Sequence, residues 1–189
     1  MQTLTHTSSV QSPAAKPTAA AGTVLVPASR RPTGERIAQL LALIETQLSV
    51  VRRVVRSGEP VYRAGDTFDS LYVVHAGMFK TVNVSADGRE QVVGLHFKGD
   101  WLGFDGIADG CFGCDAIAMD TGEVWMIRYD ALLEGCSRTP TLMAAVHSAM
   151  SRELARDRDS MMAMCTLPAD ARVADFLRKY SELGGTHHG

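Results

Sequence analysis

The chain has 189 residues, a formal net charge of −2, and only 6% aromatic side chains. It is long enough for one sizeable domain with appendages, and it has neither the net field that attracts nucleic acid or anionic membranes nor many stacking platforms for single strands. No apolar stretch approaches the ~20 residues of a membrane span, and the cysteines (Cys111, Cys114, Cys136, Cys165) are too few and too spread for a secreted disulfide scaffold.

Residues 1–33 are rich in Ala, Ser, Thr and Pro and show no period, as in a disordered tail. Lys16 and the following AAAGTVLVPA imitate a secretion signal faintly, but the stretch is short and begins well into the chain. A reducing, cytoplasmic setting is expected. The first helix is expected over Gly34 to Gln47, because Ile37, Leu40, Leu41 and Ile44 share one face.

From about Val50 to Arg128, short half-apolar segments alternate with glycines: Gly58, Gly65, Gly77, Gly88, Gly94, Gly99, Gly103 and Gly106. Glycine supplies the positive φ of tight corners, so this pattern predicts an antiparallel sheet rolled on itself. Leu71, Val73 and His75 alternate with Tyr72, Val74 and Ala76, and Asp87-Gly88 predicts a two-residue hairpin before a return strand over Gln91 to Phe97. Gly122 to Ile127 is the closing strand. A short helix over Tyr129 to Cys136 and a long one over Thr139 to Met164 follow, with Pro140 in the first turn. Leu167-Pro168 stops the long helix, and another is expected from Ala169-Asp170 to about Leu183. The expected organisation is a tail over 1–33, a β-roll sensor with its helix over 34–137, a long helix over 138–166, and a hinge with one further helix over 167–189.

This order of parts resembles the regulatory half of CRP/FNR-type bacterial transcription factors. The resemblance runs from about Glu35 to Leu183 and is carried by SGEPVYRAGDTFDSLYVVHAGMFK, EQVVGLHFKGDWLGFDGIADG and ARVADFL, which look most like the FNR branch. It implies an α+β chain: a double-stranded β-helix like that of cyclic-nucleotide-binding domains, then a long dimerisation helix and one further helix. It also implies a helix-turn-helix after the last helix. This sequence stops at Gly189, where that module would begin, so DNA is expected to be read only through a part not present here. The expected role is an effector-sensing and dimerisation domain. The alternatives are a headless partner or inhibitor of full-length regulators, and a stand-alone redox or ligand-binding module.

In cyclic-AMP-binding relatives, a Glu after GD-x-x-G bonds the ribose and an Arg-Ser pair holds the phosphate. A buried phosphate needs such a cation. Here the cassette is Gly99, Asp100, Gly103, Phe104, Asp105, then Cys114, Asp115, Ala116. Phe104 stands at the Glu position and Asp115 in the phosphate pair, while the nearest basic residues are Lys98 and Arg128. Cyclic nucleotides are therefore not expected. Asp105 is either a sugar ligand or a turn carboxylate. An FNR-type iron–sulfur cluster is also not expected, because residues 1–50 hold no cysteine and Trp125 stands where the fourth ligand would be.

Cys111-Phe-Gly-Cys114 is a lone C-x-x-C: either a redox or metal pair, with Cys136 as a third ligand if the short helix folds back, or two small loop residues. Lone histidines (His75, His96, His147) make neither a haem site nor the His/Glu cluster of a cupin-like enzyme. No cofactor and no enzymatic activity are expected.

On the long helix, Met143, Val146, Met150, Leu154, Asp157 and Met161 form a stripe that the resemblance assigns to a two-fold homodimer seam. Asp157 either meets its copy there, relieved by Arg156 and Arg158, or points to solvent. The turn Asp87, Gly88, Arg89 resembles an RNA-polymerase contact loop, and it is otherwise a plain surface turn. No membrane partner is expected.

Overall fold

A computed structural model describes residues 34–85, 87–174 and 177. The tail over 1–33 and most of the expected last helix, including the run to Leu183, lie outside the described residues. The elements are α1 (Gly34–Gln47), β1 (Val51–Val55), β2 (Pro60–Tyr62), β3 (Ser70–Ala76), β4 (Phe79–Val84), β5 (Glu90–His96), β6 (Trp101–Leu102), α2 (Gly106–Asp109), β7 (Asp115–Ala118), β8 (Gly122–Arg128), α3 (Tyr129–Arg138) and α4 (Pro140–Thr166).

The strands form two antiparallel sheets, in the orders β1-β8-β3-β6 and β2-β7-β4-β5. The first sheet is covered on both faces. Leu71 and Val73 of β3, Trp101, Trp125 and Ile127 pack with Leu41, Ile44, Leu132 and Leu142 of the helices. Tyr72, Val74, Val124 and Leu102 pack with Val61, Tyr62, Phe79, Ala116 and Ala118 of the second sheet. The layers are therefore helices, sheet, sheet. The alternation predicted for β3 separates two cores, where a half-buried strand would have had one core face and one wet face.

Not every glycine expected at a corner is one. Gly58, Gly65, Gly77, Gly88, Gly99 and Gly103 do adopt positive φ. Gly94 lies inside β5 opposite Thr81, and a Cβ there would come within 2.5 Å of Thr81 Oγ1 and 2.8 Å of His96 Nε2. It makes room for the buried Thr81–His96 hydrogen bond of 3.2 Å. Gly106, in α2, gives way to Phe68. The hairpin is also wider than two residues: Val84 pairs with Glu90, and the Ser85 amide donates to the Arg89 carbonyl at 2.9 Å.

Pro140 occupies the first turn of α4, and the Thr139 hydroxyl donates to Gln47 Oε1 at 2.9 Å, tying the start of α4 to the end of α1. The helix stops where Leu167 turns extended before Pro168, the conformation a pre-proline residue prefers. A further helical stretch occupies 169–174.

Gly77 combines both demands on a glycine. Its φ is +85°, and a Cβ would lie 2.6 Å from the Gly122 Cα across the β3–β8 end. Gly77→Ala is expected to cost more than ~2 kcal/mol, since left-handed strain and a backbone clash add. Urea unfolding checks this, with Gly58→Ala (positive φ in open space) expected to cost less.

Candidate functional site

The cassette spans the turn before β6 to the start of β7. Phe104 packs on the helix side, against the first core, and stacks on Trp101 with centroids 5.7 Å apart. The Phe104 side chain thus belongs to the helix-facing core, whereas Cys114 and Ala116 belong to the core between the sheets. All three cassette carboxylates, Asp100, Asp105 and Asp115, accept hydrogen bonds from backbone amides. Asp105 Oδ2 accepts from the Gly113 amide at 2.9 Å and from the Cys114 thiol at 3.3 Å. Asp115 Oδ1 accepts from the Ala64 amide at 2.7 Å. Lys98 is exposed, and Arg128 is an exposed partner of Asp69 and Asp130.

Between the sheets stands an aromatic column. Tyr62 and Phe112 stack with centroids 3.8 Å apart and planes 13° from parallel. Tyr72 lies 5.6 Å from Tyr62, and Phe68 meets Phe112 edge-on at 5.5 Å. Offset and edge-on pairs of this kind add to the burial of large rings. The sequence reading missed both Tyr62 and Phe112. Phe112 sits between the two cysteines of the C-x-x-C, and its own signal was the aromatic residue in a loop that otherwise carries small or polar ones.

Cys111 and Cys114 are free thiols. Cys111 is half-buried and bridges to Thr67 through the backbone. Cys114 is buried beside Tyr62 and Asp105. Burial first, and the Asp105 carboxylate second, push its thiol up to about 12. Burial likewise pushes the neighbouring Tyr62 hydroxyl well up, with Cys114 and Asp105 adding to it. Cys136 does not join this pair: it lies in the helix-side core with Leu48 and Leu142, while Cys114 lies in the other. Cys165 is exposed. Among the described residues no three His, Cys, Asp or Glu side chains are grouped to hold a metal.

Trp125 is held on several sides. His75 stacks on it at 4.6 Å, Arg52 lies over it at 5.3 Å, and its Nε1 donates to Glu123 Oε1 at 2.9 Å. On the hairpin turn, Arg89 Nε donates to Asp87 Oδ2 at 2.7 Å, and Arg89 is largely exposed. The Arg89 and Ser85 hydrogen bonds hold the Asp87 carboxyl below its usual range.

On α4, Leu142, Val146 and Ala149 face the core. Val146 therefore does not belong to the outer stripe. The outward row is Met143, His147, Met150, Leu154, Asp157, Met161 and Met164, stepping alternately by four and three residues. Leu154 is 56% and Met161 63% exposed, and Asp157 is exposed beside them. Arg156 is turned away from Asp157. It binds Asp100 Oδ1 at 2.8 Å and Glu153, so only Arg158 is left to offset Asp157. Burial works against the charge on Arg156, but Asp100 and Glu153 outweigh it and raise its pKa. Burial raises Glu153 despite Arg156.

The cyclic nucleotide-binding domain family matches residues 52–139, the rolled sheets and α3. The chain is 34% identical over 125 residues to the transcriptional activator protein Anr of Pseudomonas protegens, covering 66% of this chain and 51% of that protein. It is 29% identical over 137 residues to the fumarate and nitrate reduction regulatory protein of Escherichia coli K12, covering 70% and 55%. The structure of FixK2 from Bradyrhizobium japonicum superposes with a TM-score of 0.64 at 22% identity, covering 70% of this chain and 66% of that one. The fold is thus the rolled β domain of the cyclic-nucleotide-binding type followed by a long helix. The chain belongs to the CRP/FNR family, whose members are transcription regulators and not enzymes. It spans about half the length of the curated relatives it matches.

A thiol raised to about 12 is ionised at roughly one part in ten thousand at pH 8. Native protein treated with iodoacetamide at that pH is expected to be alkylated first at Cys165 and at Cys114 only after unfolding. Peptide mapping by mass spectrometry checks the order.

Proposed function

We propose that this chain is the sensing and dimerisation half of a CRP/FNR-type regulator that uses neither a cyclic nucleotide nor an FNR-type iron–sulfur cluster. The observation that carries the reading is the Tyr62–Phe112 stack, which fills the space between the sheets beside the cassette. Two facts support it. The cassette carboxylates Asp105 and Asp115 are spent on backbone amides, where a phosphate would need a buried cation. Trp125, at the position resembling a cluster ligand, is fixed by His75, Arg52 and Glu123 and offers no thiolate. Calorimetric titration with cyclic AMP and cyclic GMP is expected to show no binding below millimolar concentration. Binding of either would sink the proposal.

Regulators of this family dimerise through a long helix. The outward row of α4 fits that use, because its three–four stepping is the pattern of a two-stranded seam. A homodimer places Asp157 opposite its copy, and like charges in a seam weaken it. DNA would be reached through a helix-turn-helix beyond this sequence. RNA polymerase would meet the exposed turn of Asp87, Gly88 and Arg89. The same seam favours a second reading, a partner that pairs with full-length regulators. The intact mass of the protein from its own cells separates the two: a heavier species with a helix-turn-helix supports the first, and a mass matching this chain supports the second.

Asp157→Ala is expected to tighten the dimer by about tenfold, about 1.4 kcal/mol, by removing the like-charge pair. Sedimentation equilibrium of the two proteins measures it. Unchanged affinity would place Asp157 outside the seam.

A further inference from the structure

The second half of α4 is tied to the roll by charge, with one weak neutral contact besides, Gln91 Nε2 donating to Met164 Sδ at 3.8 Å. Leu142, Val146 and Ala149 dock the first half. Beyond Ala149, among the described residues, no α4 side chain joins either buried core. The same helix face continues instead into Glu153 and Arg156. Arg156 Nη1 donates to Asp100 Oδ1 at 2.8 Å, and the Asp100 side chain is only 8% exposed. A bond this shielded from water is far less screened than a surface pair.

Asp100 stands on a firm mount. Its Oδ2 accepts from the Phe97 amide at 3.0 Å. Its carbonyl accepts from the Val74 amide at 2.9 Å, and the Gly99 amide donates to the Val74 carbonyl at 2.8 Å. Ile37 of α1 presses on Gly99, where a Cβ would lie 2.7 Å from Ile37 Cγ2. The turn that grips Arg156 is thus clamped between β3 and α1, and it leads directly into β6 and the cassette. On the helix, Leu154 lies about 160° around the axis from Arg156, and Asp157 about 100°.

We propose that Arg156 is a positioning residue: its bond to Asp100 fixes the rotation of the second half of α4, and so selects Leu154 and Asp157 as the residues that meet the partner copy. This rests on the reading of α4 as the dimer seam. Its consequence is a route from cassette to seam, because a displacement of the 97–100 turn is delivered to the helix as a twist.

Disulfide crosslinking across the two-fold tests the rotation, a readout that simple loss of stability does not move. The full chain carrying Cys165→Ser receives either Leu154→Cys or Arg158→Cys, and copper-phenanthroline serves as oxidant. With Arg156 in place, Leu154→Cys is expected to crosslink about tenfold faster than Arg158→Cys, since small misplacements of reacting atoms are costly. Adding Arg156→Met is expected to bring the ratio toward one. Asp100→Asn, which leaves α4 untouched and serves if the first variant does not fold, is expected to do the same, while Arg156→Lys keeps most of the preference. An unchanged ratio in folded Arg156→Met or Asp100→Asn overturns the proposal. A parent chain that sediments as a monomer and crosslinks at neither site overturns the seam reading, and the proposal with it.

Discussion

The architecture depends on β3 being covered on both faces. Leu71 and Val73 face the helices, while Tyr72 and Val74 face the second sheet. A strand so placed is buried from Ser70 to Val74, and burying apolar area is the main term that holds a domain of this size together. The helices are therefore structural lids on the first sheet. The second sheet closes the other side with Val61, Tyr62, Phe79, Ala116 and Ala118, and Phe112 joins them in that core.

Much of this was legible along the chain, and the exceptions have physical causes. The bounds of α1 follow from one apolar stripe, and the end of α4 from one proline, since both signals are local. The two covered faces of β3 were not legible, because alternation looks the same when both faces are apolar. On α4 two stripes run side by side, one inward through Val146 and one outward past His147. A spacing rule cannot assign Val146 between them without the core. The pairing of Arg156 with Asp100 links positions 56 residues apart and leaves no period at all. The C-x-x-C directed attention to its sulfurs, yet the side chain that fills the roll is the phenylalanine between them.

The rolled sheets and the long helix of the family are present. Phe104, Asp115 and Trp125, the positions that the resemblance sets against phosphate or iron ligands, each pack or bond within the domain.

One small feature has a bearing on the survival of the folded chain in a crowded solution. β5 is the outer strand of its sheet, with Val92 and Val93 turned to solvent. Such a rim is a template on which other chains can polymerise. Its register slips between Thr81 and Val82, beside the glycine that admits the Thr81–His96 bond. That slip bends the rim out of the flat shape that stacking fibrils need. A packing detail of the interior thus doubles as protection against aggregation.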